Sequence, residues 1–247
     1  MITFIIPTLW KDDNIYSTID SFKRIKDKDT KLLIINNTER QIESNSDKRV
    51  IIINMGFNSF VNPAWSLGVE KSTTDYVCCL NDDILIDLKF IYEYIKKTKV
   101  DFLGFDSNLN RSNVECPVEL VNHLDKNKRP PGFGQFFLLK KKNWPKLPDN
   151  LKIFYGDDII YFYHTLILGI QLKKIKGFKI GGNHSTTAKD WWYSDIAIND
   201  KLEYFKWIKE NLLECMEIAP NYKRAWNEGD FKYKEQLEKE ISLKINN

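Results

Sequence analysis

An α/β fold is what this sequence predicts: a mostly parallel central sheet flanked by helices, with a helical appendage at the C-terminal end. Three observations carry that prediction. Short β-branched runs recur through the first half, at Thr3–Ile6, Leu32–Ile35, Val50–Ile53 and Tyr76–Leu80. They are apolar throughout rather than alternating, as strands covered on both faces are. Between them lie stretches with helical spacing, Asn14–Ile25, Pro63–Lys71 and Leu88–Lys97. The chain is also long enough for a full core. It has 247 residues, 43% hydrophobic and 29% charged, and roughly 70–75% of the unfolded surface can be buried at that size.

Each element follows from its local pattern. In Asn14–Ile25 the apolar residues Ile15, Ile19, Phe22 and Ile25 recur near helical spacing. Strands alternating with helices give parallel pairing, right-handed crossovers and ligand sites at the carboxyl ends of the strands. Pro7–Lys11, Asn36–Thr38, Asn54–Asn58 and Asn81–Asp83 are therefore the places for chemistry. The middle of the chain differs. Asp106–Arg129 is polar and aperiodic, and reads as a long surface excursion. Phe133–Leu139 reads as a strand, and Asp157–Leu168 as a helix opening on two acids, which suits the positive helix N-terminus. Gln171–Ile180 reads as a short strand pair broken by Gly177, and Ile196 to Met216 as an amphipathic helix. The stretch after it is charged and helical in pattern. No Gly/Pro/Ser linker divides the chain. The expected organisation is one structural domain, 1–190, with a helical extension, 191–247, packed on it.

Composition excludes several classes. The net charge is +3, the pI is about 8.5 and the mean hydropathy is -0.42. That charge is too small to announce a nucleic-acid protein. No apolar run approaches the ~20 residues of a membrane-spanning helix. Cys78, Cys79, Cys116 and Cys215 form no metal-binding spacing. Met1 leads directly into Ile2-Thr3-Phe4, without a basic segment or a cleavage site. The expectation is a reduced, cytoplasmic protein without structural zinc.

Two constellations of acids stand out. Tyr76–Leu80 ends directly in Asn81-Asp82-Asp83. Buried carboxylates without partners are costly, so acids at a strand's end belong at a mouth, near water or a cation. Two of them suit Mg2+ or Mn2+ carrying a diphosphate, because these ions take hard oxygen ligands. The competing reading is a turn whose Asp caps the helix beginning at Leu88. The second constellation is Phe154-Tyr155-Gly156-Asp157-Asp158. One of its acids could act as a general base, or both could simply complement a helix N-terminus. His184 follows Gly181-Gly182, which permit close approach to a ligand. His164 reads as a core residue, and His123 takes no role. A basic run, Lys126, Lys128, Arg129, Lys140, Lys141, Lys142 and Lys146, reads as a solvated face or as a surface for an anionic acceptor. Trp191, Trp192 and Tyr193 read as packing residues or as a stacking surface for sugars or bases.

Taken in order, these pieces resemble the GT-A nucleotide-sugar glycosyltransferases, the inverting family-2 type in particular. The resemblance rests on Ile6-Pro7-Thr8, Asn36-Asn37, Trp65-Ser66-Leu67-Gly68 running into Asn81-Asp82-Asp83, then Gly156-Asp157-Asp158 and a later His184. It covers roughly residues 1 to 190. It implies a UDP-sugar donor, a divalent cation and direct displacement with inversion. Pro7 and Thr8 would hold the nucleoside, with Asn36 at the base-contacting position that is usually aspartate. Asp83 would bind the metal, with Asp82 facing the ribose or the metal's water shell. His184 would complete the metal shell or touch the diphosphate, and Gly132–Gln135, with Gly134, would open toward donor sugar and acceptor. Asp158, second of its pair with Asp157, would be the base. The expected acceptor is a glycan or glycoconjugate. The alternatives are a modified base in phage DNA, and a non-catalytic module that binds a nucleotide-sugar. A nucleotidyltransferase would need a glycine-rich loop after the first strand, and Pro7–Asp12 contains no glycine.

Overall fold

The computed structural model describes residues 1–43, 45–107, 118–126, 128–177 and 195–212. Among them, eight strands form one sheet: β1 (Ile2–Thr8), β2 (Lys31–Asn36), β3 (Val50–Asn54), β4 (Tyr76–Leu80), β5 (Phe102–Phe105), β6 (Glu119–Asn122), β7 (Phe136–Lys140) and β8 (Lys173–Lys176). The α-helices are α1 (Asn14–Lys23), α2 (Val61–Lys71), α3 (Leu88–Thr98), α4 (Gly156–Phe162) and α5 (Asp195–Leu212). The strand order is β3-β2-β1-β4-β7-β5-β8-β6. The first four strands are parallel. β7 runs antiparallel between β4 and β5, β8 is parallel to β5, and β6 closes the edge antiparallel to β8.

The continuous apolar runs are explained by a core on each face of the sheet. Successive side chains of a strand point to opposite faces. Phe4 and Ile6 of β1, Leu32 and Ile34 of β2, and Cys78 and Leu80 of β4 therefore join α1 and α3 on one side. Ile5, Leu33, Ile35, Val77 and Cys79 join α2, α4 and α5 on the other. Cys78 and Cys79 are free, fully buried thiols that fill adjacent cores. α5 contributes Tyr204, Trp207, Ile208 and Leu212 to the second core.

The first half follows its periodicity closely, and the second half departs from it. Phe102–Phe105, unassigned from sequence, is a central strand. The polar excursion contains β6, an edge strand that needs only one apolar face, so Leu120, packed on the core among polar neighbours, suffices. Phe133–Gln135 is a 3-10 turn and the strand begins at Phe136, because Gly132 takes a left-handed φ of 83° and starts a turn. α4 opens at Gly156 and ends in a π-helical turn over Tyr163–Ile167. Of the expected strand pair at Gln171–Ile180, the described residues contain β8 before Gly177, and 178–180 lie outside them. Cys116, Cys215, the Trp191–Tyr193 cluster, the charged stretch after Met216 and the expected boundary at 190 also lie outside them.

The strand order positions the site. The chain steps outward from β1 to β3, then returns to place β4 on the other side of β1. Ligands of open α/β sheets bind beyond the strand ends where the order reverses. Here that crevice lies past Thr8 of β1 and Leu80 of β4.

Candidate active site

The carboxyl ends of β1 and β4 are tied together by the first acid pair. Thr8 donates from Oγ1 to Asp82 Oδ2 at 2.6 Å, and the Leu9 N–H points at the same oxygen at 3.4 Å. Burial pushes the Asp82 carboxyl up, against the pull of the Thr8 hydrogen bond. Asp83 is 8% exposed. Its Oδ1 is sealed from solvent without a hydrogen-bond partner, and burial, reinforced by Asp82, pushes the carboxyl up to about 6. No described lysine or arginine pairs with either acid. The cap of α3 is Asp87, which accepts from the Lys89 and Phe90 N–H groups at 3.0 and 3.2 Å. Asp82 and Asp83 are thus not used for capping.

A buried carboxylate oxygen without donor or cation is costly, and two such acids side by side form a hard-oxygen donor set. That set fits a divalent cation. No cluster of three or more His, Cys, Asp or Glu occurs among the described residues. His184 lies outside the described residues.

Beside this pair is a cleft lined by Pro7, Thr8, Asn37, Phe60, Asp82 and Ile153. The structure separates the two asparagines that end β2. Asn36 is fully buried. Its Oδ1 accepts from Trp10 Nε1 at 3.0 Å and Thr38 Oγ1 at 2.7 Å. Its Nδ2 donates to Arg40 O at 2.6 Å and Asn54 Oδ1 at 2.7 Å. All its hydrogen-bonding capacity is spent on locking β2, β3 and the loop after β1 together. Asn37, one residue on and therefore on the other face, lines the cleft. It receives Ser59 Oγ at 2.6 Å and donates to Phe60 O at 3.2 Å, which leaves one donor and one lone pair.

The second acid pair lies in the first turn of α4 and carries its own cation. Arg129 Nη1 stands 2.9 Å from Asp157 Oδ2, and Arg129 Nε donates to Asp158 Oδ1 at 2.8 Å. One planar guanidinium thus spans both carboxylates, which a lysine ammonium could not do in that geometry. Burial pushes the Asp158 carboxyl up to about 6 even with the guanidinium beside it, and Asp157 adds to the push. The two acids hold Arg129 firmly charged. Asp158 Oδ2 makes no hydrogen bond among the described residues. The loop that delivers Arg129 is fastened to α4 and the π-helical turn after it. Tyr161 Oη donates to Asp125 O at 2.5 Å, and Thr165 Oγ1 to Lys126 O at 3.3 Å.

The turn Phe133–Gln135 links the two pairs. Gln135 O accepts the Asn81 N–H at 3.1 Å, beside the first pair. Gly134 lies against the second, and a Cβ there would overlap the Asp157 carboxylate. Both pairs therefore sit on one edge of the sheet with Gly134 between them. His164, read as core, is fully buried and stacks on Phe102 at 4.3 Å.

Arg129 is the residue sequence reasoning misplaced. It read as part of a solvated basic run, yet it is the one arginine among those lysines. That run is split in space: Lys140 pairs with Tyr76 at the amino end of β4, on the edge opposite the acids, and bonds Asp101 at 2.7 Å.

A half-parallel sheet with one acid pair beyond the end of β4 and another in the first turn of α4 is the plan of a sugar-transferring enzyme of the GT-A class. The comparisons agree. The fold matches S. aureus TarS (residues 1–349) at 12% identity over 85% of this chain and 73% of that one, TM-score 0.51. It also matches GalNAc-T7, solved with UDP, GalNAc and Mn2+, at 12% identity over 98% of this chain and 55% of that one, TM-score 0.57. At this identity the likeness concerns the fold, and the chain spans little more than half of GalNAc-T7. Curated protein sequences give no match. The model of glycosyl transferase family 2 matches residues 3–157. The chain belongs to that family and is a glycosyltransferase.

Proposed function

We propose that the protein moves a sugar from a UDP-sugar to an acceptor hydroxyl with inversion, with Asp158 as general base and Asp82–Asp83 as the anchor of a divalent cation. The observation that carries this reading is the contrast between the acid pairs on one sheet edge: among the described residues one lacks a cation partner, while the other already has Arg129. The neighbour solved with UDP and Mn2+ supports the choice of nucleotide and metal.

In this reading Asp83 would hold the metal, with His184 as a further ligand. Asp82, held by Thr8, faces the ribose or the metal's water shell. A bound divalent cation, Mn2+ or Mg2+, would offset the charge of the departing diphosphate. Pro7, Thr8 and Asn37 hold the nucleoside, and Asn37 takes the base-reading role expected of Asn36, whose groups are all engaged. Arg129 holds Asp158 by Oδ1, so Oδ2 is the atom left to take the acceptor's proton. The acceptor oxygen then bonds to the anomeric carbon on the face opposite the diphosphate. The bond to the diphosphate breaks, its electron pair leaves with the phosphate oxygen, and the configuration inverts. Gly134, which lets the Asp157 carboxylate approach its backbone, would lie beside donor sugar and acceptor.

The acceptor is a glycan or glycoconjugate hydroxyl. That choice over a base in DNA is supported by Lys140–Lys142 lying on the opposite edge of the sheet and by Arg129 being engaged by the acids. The test is UDP release from a panel of UDP-sugars, with and without Mn2+. Manganese-dependent release that Asp158→Asn removes supports the reading, and release unaffected by that change defeats it.

A further inference from the structure

The loop that carries the base has an unusual anchor. Asp200, in α5 and fully buried, presents its carboxylate to three consecutive backbone N–H groups. Oδ1 accepts from Lys152 at 2.8 Å, and Oδ2 accepts from Ile153 at 2.7 Å and Phe154 at 2.8 Å. No described side chain forms an ion pair with it, so the three amides alone compensate the buried charge.

The same loop is gripped from the opposite side by α2. The Asn62 N–H donates to Lys152 O at 2.9 Å, and Asn62 Nδ2 donates to Phe154 O at 3.1 Å. Lys152 and Phe154 thus have both backbone groups fixed by partners distant in sequence. A Cβ on Gly156 would overlap the Asn62 amide, so only glycine fits there. One turn along α5 from Asp200, Tyr204 lays its ring on Tyr155 at 4.7 Å and 10°. Tyr155 holds a left-handed φ of 64° immediately before α4 begins. What this anchorage fixes is clear from the chain on either side. Ile153 lines the donor cleft, and four residues after Phe154 comes Asp158.

We propose that Asp200 is a positioning residue: through the amides of 152–154 it fixes the entry to α4 and so aims Asp158 Oδ2 at the donor cleft, with Tyr204 as its second contact. This rests on Asp158 being the base. It also gives α5, which lies beyond the residues the family model matches, a part in the reaction rather than in packing alone. Asn at 200 can accept through only one oxygen and would turn an NH2 toward a backbone N–H, so D200N loosens the grip while preserving shape.

The test uses the full chain, with variants D200N, Y204L, D158N and D158N/D200N. Hydrogen exchange of the 152–158 amides is followed, together with Mn2+-dependent UDP affinity and UDP release from the UDP-sugar giving the largest manganese-dependent thermal shift, with water as acceptor. D200N is expected to speed exchange of those amides at least about tenfold and to lower kcat about 10- to 100-fold. UDP affinity and KM should stay within about threefold, and adding D200N to D158N should cost nothing further, as for groups acting as a unit. If D200N does not fold, Y204L should lower kcat about three- to tenfold at unchanged KM. Unchanged exchange, or faster exchange with full turnover, overturns the proposal. So does a loss confined to KM. Full turnover in D158N overturns the base assignment and with it the purpose given to Asp200, whereas full turnover in D200N alone overturns only the latter.

Discussion

The two acid pairs are alike in sequence and opposite in environment. Asp82-Asp83 and Asp157-Asp158 each follow an apolar or aromatic run, and the turn around Gly134 lies against Asp157 and bonds Asn81, the neighbour of Asp82. Yet Asp83 has a sealed oxygen with no partner, while Asp157 and Asp158 share Arg129 at 2.9 and 2.8 Å. On the proposed reading, the pair left without a charge partner takes a cation from outside, and the pair neutralised by Arg129 is held in place for a proton. The difference teaches that adjacent acids acquire a role from what else reaches them, and that reach is a property of the fold.

The sharpest way to break the comparison is at the base. Asp158→Asn should cut sugar transfer by about 10²- to 10⁴-fold, the usual contribution of a general base, while UDP binding measured by calorimetry stays intact. Next in size, Asp83→Asn should weaken manganese-dependent UDP binding by about 100-fold. The same change should stabilise the metal-free protein by about 1–2 kcal/mol, read as a higher thermal midpoint, because it removes an unpaired buried charge. A variant both less stable and fully metal-responsive would erase the distinction between the pairs.

Arg129→Gln should destabilise by roughly 2–3 kcal/mol in urea unfolding, somewhat below a fully buried pair because the groups keep some exposure. It also sharpens the pH argument. A base must be ionised, so activity falls as pH drops through the Asp158 value of about 6. Removing the guanidinium raises that value, and the acid limb of the pH–rate profile should move upward. Arg129→Lys restores charge without the two-pronged contact and should recover only part of the loss.

His164, remote from both pairs, gives a smaller and purely structural effect. Burial pushes it down to about 4, against the pull of its bond to the Ile160 carbonyl. In the unfolded chain it protonates near about 6.5. As pH falls from about 6.5 to about 4 the unfolded state gains a proton that the folded state lacks, so stability falls, by at most about 3 kcal/mol. His164→Leu should flatten that slope in denaturation measured across the same window.

Much of the donor half was legible because its signals are local. β-branched runs marked β1 to β4 within two residues, and the acids after β4 stood where strand ends hold ligands. The base half was less so. Asp157 and Asp158 were readable, but their partner Arg129 arrives from a polar loop 29 residues before Asp158. Its only signal was being an arginine among lysines, in front of Pro130-Pro131-Gly132. Asp200 looked like one more polar position on an amphipathic helix, since nothing local tells that its carboxylate meets three amides. Asn36 and Asn37 were distinguishable only by which way each faces past the end of β2. These are long-range facts, and periodicity contains none of them. The edge strand β6 hid for a related reason, since four residues with one apolar face leave too short a pattern to read.

The most direct test of the division of labour is the manganese-dependent thermal shift given by UDP in the parent protein, Asp83→Asn and Asp158→Asn. At about 100 times its dissociation constant a ligand stabilises by ~2.7 kcal/mol, which is readily seen. The account predicts that the shift vanishes in Asp83→Asn and persists in Asp158→Asn. A shift that survives in Asp83→Asn, or disappears in Asp158→Asn, would contradict it.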